Sequence, residues 1–142
     1  MRQSGFTLLE VLVAILVLSI GLLGLAGLMA SSIRNNHSAY QRTQATWLAY
    51  DMIDRMRVNR ANAITSANNY NIAIGTASSS SSGLAGTDVT DWKTTLANAL
   101  PAGDGSVAVN STTRAVTVIV QWNDSRGTGG NNAQQLRVDT QL

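Results

Sequence analysis

GFTLLEVLVAILVLSIGLLGLAGLMASSI, residues 5–33, decides the reading of this chain. From Val11 to Ile33 there is no Asp, Glu, Lys or Arg, so Glu10 is the only acid between Arg2 and Arg34. A carboxylate at bilayer depth costs roughly 2.5–3.5 kcal/mol on insertion scales, so it needs a compensating partner. A helix that begins near Phe6 supplies part of this, because an acid in the first turn gains about 0.3–1 kcal/mol from the macrodipole. That alone suits an ordinary anchor with its acid at headgroup level. A secretory signal fits less well: its apolar region is about 7–15 residues and ends in a small-residue cleavage site, whereas this run is longer and Gly5 precedes it. A cut between Gly5 and Phe6 removes the basic leader Met1-Arg2-Gln3-Ser4-Gly5 and frees an amine four residues before Glu10. The missing cation is then the chain's own new terminus.

With these residues in place, the segment resembles the class III leader and N-terminal helix of type IV pilins and of type II secretion pseudopilins. The resemblance implies that a membrane-embedded prepilin peptidase cuts after Gly5 and methylates Phe6. It also implies that Glu10 pairs with the terminal amine of a neighbouring subunit during assembly. Gly5 and Phe6 are thus the expected cleavage site, Phe6 the methylated terminus and Glu10 the assembly acid.

The flanks set the expected topology. Arg2 alone lies before the apolar run, which places the N-terminus in the cytoplasm by the positive-inside rule and the remainder in the periplasm. Residues 6–33 form the expected transmembrane and filament-core helix, about 42 Å long against a hydrocarbon core of about 30 Å. Gly21, Gly24 and Gly27 line one edge of it. Either they are the glycines common in membrane helices, or they serve close packing or local unwinding when subunits leave the bilayer.

The helix is expected to continue through residues 34–61. Ala45, Leu48, Ala49, Met52, Ile53 and Met56 recur at the spacing of one apolar face. Asp51 with Arg55 and Asp54 with Arg57 fall at helical ion-pair spacings, each worth about 0.2–0.5 kcal/mol. No Pro interrupts Met1 to Leu100, so a single stick of about 80 Å is expected, from Phe6 to about Arg60. This second half resembles the PilV-type minor pilins, or type IV pilus modification proteins. The matching positions are Arg34-Asn35-Asn36, Ala39-Tyr40, Ala45, Leu48-Ala49-Tyr50-Asp51-Met52, Asp54-Arg55-Met56-Arg57 and Asn59-Arg60-Ala61. Asp88, Trp92, Leu100-Pro101, Gly103, Gly105 and Val107 are similar to the same group. Within one subunit, the charged residues read equally as a solvated helix face.

Residues 62–105 are expected to hold a variable loop. Asn62 to Thr87 is rich in Asn, Ala, Ser and Gly, with serine at every position from Ser78 to Ser82, and reads as a mobile connection. Thr90 or Asp91 then caps a short helix near residues 90–100, with Trp92, Leu96, Ala99 and Leu100 on one side and Pro101 ending it. Residues 106–142 read as an antiparallel β meander. Ser106 to Asn110, Ala115 to Trp122 and Gln135 to Gln141 alternate in polarity, with a hairpin at Ser111-Thr112-Thr113. Val116, Val118, Val120 and Trp122 share one face, and the sheet is laid on the amphipathic helix. The fold class is therefore α+β, a type IV pilin-like long helix packed on a small sheet.

Composition narrows the chemistry. The chain of 142 residues carries a formal charge of +2, which falls to +1 without Arg2 and gives no basis for nucleic-acid steering. A nucleic-acid role for Arg34, Arg42, Arg55, Arg57 and Arg60 is weakened because several of them have acidic neighbours and assembly would cover them. There is no Cys and one His, His37, which supplies neither a Cys nucleophile nor a multi-histidine metal site. Many major pilins carry a C-terminal disulfide loop, so the absence of Cys points, through the resemblance, to a minor pilin or pseudopilin. Asp124, with the glycine-rich loop after it, offers oxygen donors for Ca²⁺, but one acid is a weak signal. No enzyme activity, cofactor or metal is expected.

The resemblance implies a minor pilin that primes pilus assembly in a minor pilin complex near the tip. It sits in the inner membrane first and then in the surface filament. Its expected partners are other minor pilins, the major pilin, the prepilin peptidase, the inner-membrane assembly platform and, before assembly, membrane lipid. A type II secretion pseudopilin, an anchored periplasmic binding module and an enzyme are the alternatives.

Overall fold

α1 runs without interruption over Leu8–Val58, 51 residues or about 76 Å. The computed structural model describes residues 5–65, 69–76 and 81–142, so Met1 to Ser4 of the expected leader lie outside the described residues. Every described residue up to Ala30 is exposed, an apolar surface that no other described residue covers. The helix passes straight through Gly21, Gly24 and Gly27, with no other side chain against any of them. Beyond Tyr40 the same helix buries Gln41, Ala45, Ala49, Met52, Ile53 and Met56, with Leu48 partly buried beside them. This is the stripe read from the spacing, extended by one turn at Gln41. At Asn59 the backbone leaves helical geometry, and its N–H closes the last turn on the Arg55 carbonyl at 3.0 Å. One further turn, α2 (Arg60–Ala63), follows.

The connection after α2 is more ordered than its composition suggests. Tyr70 and Ile72 are buried. Ile72 exchanges two backbone hydrogen bonds of 3.0 Å with Val107, and the Asn71 side chain accepts from the Val109 N–H at 2.8 Å. This segment therefore covers what would be an open sheet edge. Residues 66–68 and 77–80 of the expected mobile stretch lie outside the described residues.

α3 spans Gly83–Ala99 with Ser82 at its N-cap, so the helix starts about two turns before the expected Thr90 or Asp91. The Thr90 hydroxyl instead bonds back to the Gly86 carbonyl at 2.8 Å, inside the helix. Ala85, Val89, Trp92 and Leu96 are buried along one face. Burial of that face outweighs the poor helix propensity of Gly83 and Gly86. Ala99 is exposed, contrary to its expected place in the apolar line, because the chain turns extended at Leu100 and inserts that side chain instead.

The sheet has the order β1-β2-β3, with β1 Asp104–Val109, β2 Ala115–Trp122 and β3 Gln134–Gln141, all neighbours antiparallel. β1 begins two residues earlier than its alternation indicates, because Gly105 hides the pattern. A side chain there would lie 2.5 Å from the Trp92 ring and 2.8 Å from the Ile119 carbonyl. The hairpin is closed by the Asn110 side chain, which accepts from Thr112 and Thr113 N–H at 3.0 Å each. Val107, Val118 and Val138 stand in register, as do Val109, Val116 and Thr140. That face, with Val120 and Trp122, joins α1 and α3 in one core. Leu136 and Val138 on β3 are only partly buried. The layout is the expected one, α+β and pilin-like: a long N-terminal helix packed on a three-stranded antiparallel sheet.

Trp122 is among the largest fully buried side chains. Trp122→Ala is expected to cost about 3–5 kcal/mol through the cavity it leaves. Thermal unfolding of the full chain in detergent, followed by circular dichroism, measures this, and a melting temperature equal to the parent's would show that the ring does not support the core.

Candidate functional site

At the N-terminal end of α1, the backbone of Thr7 is extended (φ −81°, ψ 148°) and forms the N-cap. Its carbonyl accepts from the N–H groups of Glu10 and Val11 at 3.1 and 3.3 Å, and its hydroxyl accepts from Glu10 N–H at 3.3 Å. Thr7-Leu8-Leu9-Glu10 has the spacing of a capping box, a signal that the reading of Glu10 by its charge alone passed over. The cap fixes where the helix begins and so places Glu10 in its first turn, at the positive end of the macrodipole.

Gly5 and Phe6 precede the helix in non-helical backbone, and Phe6 is 84% exposed. The Gly5–Phe6 bond is thus held outside α1. Phe6, Glu10, Val11, Ala14, Ile15 and Leu18 line an open groove of about 400 Å³ in which Glu10 is the only ionisable group. Among the described residues no cation pairs with its carboxylate. An acid without a counter-charge, on an apolar wall, beside the residue that a cut after Gly5 would make the terminus, is what the structure presents here.

Residues 1–26 match the family model of the prokaryotic N-terminal methylation motif. The match supports an N-terminus of the type IV pilin-like or pseudopilin-like prepilin kind. The matched span takes in Gly5, Phe6, Glu10 and the first five turns of α1, and ends before the head. No curated protein and no solved structure matches the chain. The motif and the long apolar helix are compatible with a single-span membrane anchor.

The charged residues of the head that read as a solvated face or a basic patch are partly internal. Asp51 and Arg55 pair at 2.9 Å, and Asp54 and Arg57 at 2.8 Å, as their spacing predicts. Arg55 also reaches Asp88 on α3 at 3.5 Å. The Tyr70 hydroxyl donates to Asp88 at 2.7 Å and accepts from the Asn59 side chain at 2.9 Å. Three segments, the end of α1, the connection at Tyr70 and α3, are thereby tied around one buried carboxylate. Trp92, one turn along α3, donates its indole N–H to the Leu48 carbonyl at 2.8 Å. Asp88 and Trp92 therefore act as a pair that docks α3 on α1. On the far side of α3, the single lysine, Lys93, is buried and bonded to Asp104 and to the Ala73 carbonyl. Burial raises the Asp104 pKa, but Lys93 and the N–H groups of Gly75 and Gly105 outweigh it and hold the carboxyl below its ordinary range. The partnerships of Tyr70, Asp88, Trp92 and Lys93 follow no local period, and sequence spacing did not reveal them.

His37 Nε2 and the Gln41 side-chain amide share a hydrogen bond of 3.0 Å. Asp124 is buried and accepts from the Ser38 hydroxyl at 2.6 Å, so the loop weighed for Ca²⁺ is tied to α1. Among the described residues no three His, Cys, Asp or Glu side chains come together as metal ligands.

Burial, followed by the hydrogen bond to Asp88, pushes the Tyr70 phenol from its ordinary 10.0 up to about 12. The raised folded-state value means that the contribution is full below pH 10 and is lost as pH rises towards about 12. Across that window the folding equilibrium should fall about tenfold per pH unit more steeply than in Tyr70→Phe. Denaturant unfolding of both proteins between neutral pH and pH 12 checks this; parallel pH profiles would contradict it.

Proposed function

We propose that the chain is a minor pilin of a type IV pilus. It is cleaved after Gly5, N-methylated on Phe6, held in the inner membrane by α1 and then drawn with other minor pilins into a complex that primes the filament and lies near its tip. The observation that carries this reading is Glu10. It is the sole acid of an uninterrupted apolar run, without an ion pair among the described residues and inside a matched methylation motif. A freed amine on a neighbouring Phe6 is the counter-charge of the right chemistry, and the exposed apolar half of α1 is the surface along which two such helices would meet. The resemblance over Arg34 to Ala61 and Asp88 to Val107 favours a PilV-type subunit over a type II secretion pseudopilin, which would use the same N-terminal chemistry.

The role proposed is that of a structural subunit. Ser38 donates to Asp124 rather than to His37, and the lone lysine is committed to Asp104. Major pilin, prepilin peptidase and the inner-membrane assembly platform are the remaining proposed partners, and the head would face the periplasm.

Glu10→Ala is expected to leave insertion and leader cleavage intact while weakening capture of partner minor pilins. Removing the acid relieves its own desolvation but leaves a buried ammonium unpaired, a loss of about 3–5 kcal/mol when one member of a buried pair is taken away. Pull-down of minor pilins and counts of surface pili at matched expression decide the matter. Unchanged capture together with unchanged piliation would reduce Glu10 to an ordinary helix-start acid.

A further inference from the structure

About 36 Å along the axis of α1 separates Glu10 from Arg34, a distance that carries the helix across a hydrocarbon core of about 30 Å. Arg34 and His37 therefore stand where the helix leaves the bilayer. The loop after β2 returns to that same level. Asp124 anchors it to Ser38 on α1, the Gly127 N–H closes back on the Asp124 carbonyl at 2.9 Å, and Asn131 receives the Asp124 N–H at 2.8 Å. Gly127 lies so close that a side chain on it would sit 2.8 Å from the Asp124 carboxylate and 3.2 Å from Ser38. This pinned loop presents Arg126 beside Arg34.

Between them is an open cleft of about 570 Å³, lined by Ile33, Arg34, His37, Ser125, Arg126 and Gly127. It has no acidic lining. Asp124, the nearest acid of the loop, is buried behind it and occupied by Ser38. Arg34 and Arg126 are exposed, and among the described residues neither guanidinium has a hydrogen bond or an ion pair. Every other arginine side chain with an ion pair in the described chain faces an Asp.

We propose that this cleft binds the phosphate of a bilayer phospholipid, with anionic headgroups preferred, while the chain is still in the membrane. The inference rests on the reading of α1 as a membrane anchor. Two guanidinium forks suit the non-bridging oxygens of a phosphodiester, the Ser125 hydroxyl is a further donor, and Ile33 with the apolar helix below it meets the acyl chain. A net negative headgroup adds attraction that a zwitterionic one cancels internally. Held at two points, on α1 and on the loop, the lipid would fix how the head sits over the membrane before extraction.

The test reconstitutes the full chain, as parent, Arg34→Ala, Arg126→Ala and Arg114→Ala, into nanodiscs of mixed phosphatidylcholine and phosphatidylglycerol. Insertion is checked by protease protection, and retained lipid is counted by native mass spectrometry. The parent and Arg114→Ala should retain phosphatidylglycerol over phosphatidylcholine, and each cleft variant should lower that preference roughly fivefold. A chain that fails to insert overturns both the anchor reading and the cleft. One that inserts and retains the two lipids alike in all four forms overturns the cleft alone. Equal occupancy by inorganic phosphate in detergent, displacing the lipid, would make it a soluble-anion site and contradict the proposal.

Discussion

Every element of the head is organised by one stripe of α1, Gln41 to Met56, because a helix this long cannot cover its own apolar face. Ala45 and Ala49 are small enough to let other elements approach the axis, while Met52, Ile53 and Met56 fill the space beyond them. β2 lies over this stripe as the central strand, and α3 closes the remaining side through Trp92 and Leu96. The apolar N-terminal half of the same helix has no such cover among the described residues. A single continuous rod thus carries two surfaces with different destinations, and the change between them falls between Ala30 and Gln41.

Polar contacts then fix what apolar burial leaves free. Hydrophobic packing would tolerate α3 sliding along α1. The bond from Trp92 to the Leu48 carbonyl and the pairing of Asp88 with Arg55 and Tyr70 set one register. The same logic holds at the membrane-proximal end, where Ser38 and Asp124 join α1 to a loop 86 positions away in sequence. Partners of this kind are costly to lose when buried, so they restrain the head as a rigid cap on its helix.

Much of this was legible before the structure. The period of Ala45 to Met56, the alternation of Val116 to Trp122 and the long uninterrupted apolar run each carry a repeating signal that burial imposes directly on sequence. Glu10 was legible for the opposite reason, as the one residue that violates its surroundings. The first half of α3 was not, since Gly83, Ala85 and Gly86 look like linker and become helix only when Val89 and Trp92 bring them to the core. Nor were the Tyr70, Asp88 and Lys93 partnerships, which join residues 11 to 33 positions apart with no local rule to link them.

The account's central claim is that the lone acid in the apolar run exists to meet a new terminus made by a cut after Gly5. Mass spectrometry of the N-terminal peptide from pili sheared off cells with an active prepilin peptidase measures that terminus. The account predicts a peptide beginning at Phe6 and carrying one methyl group on its α-amine. A chain that still begins at Met1, or that is cut within or after the apolar run, would contradict it.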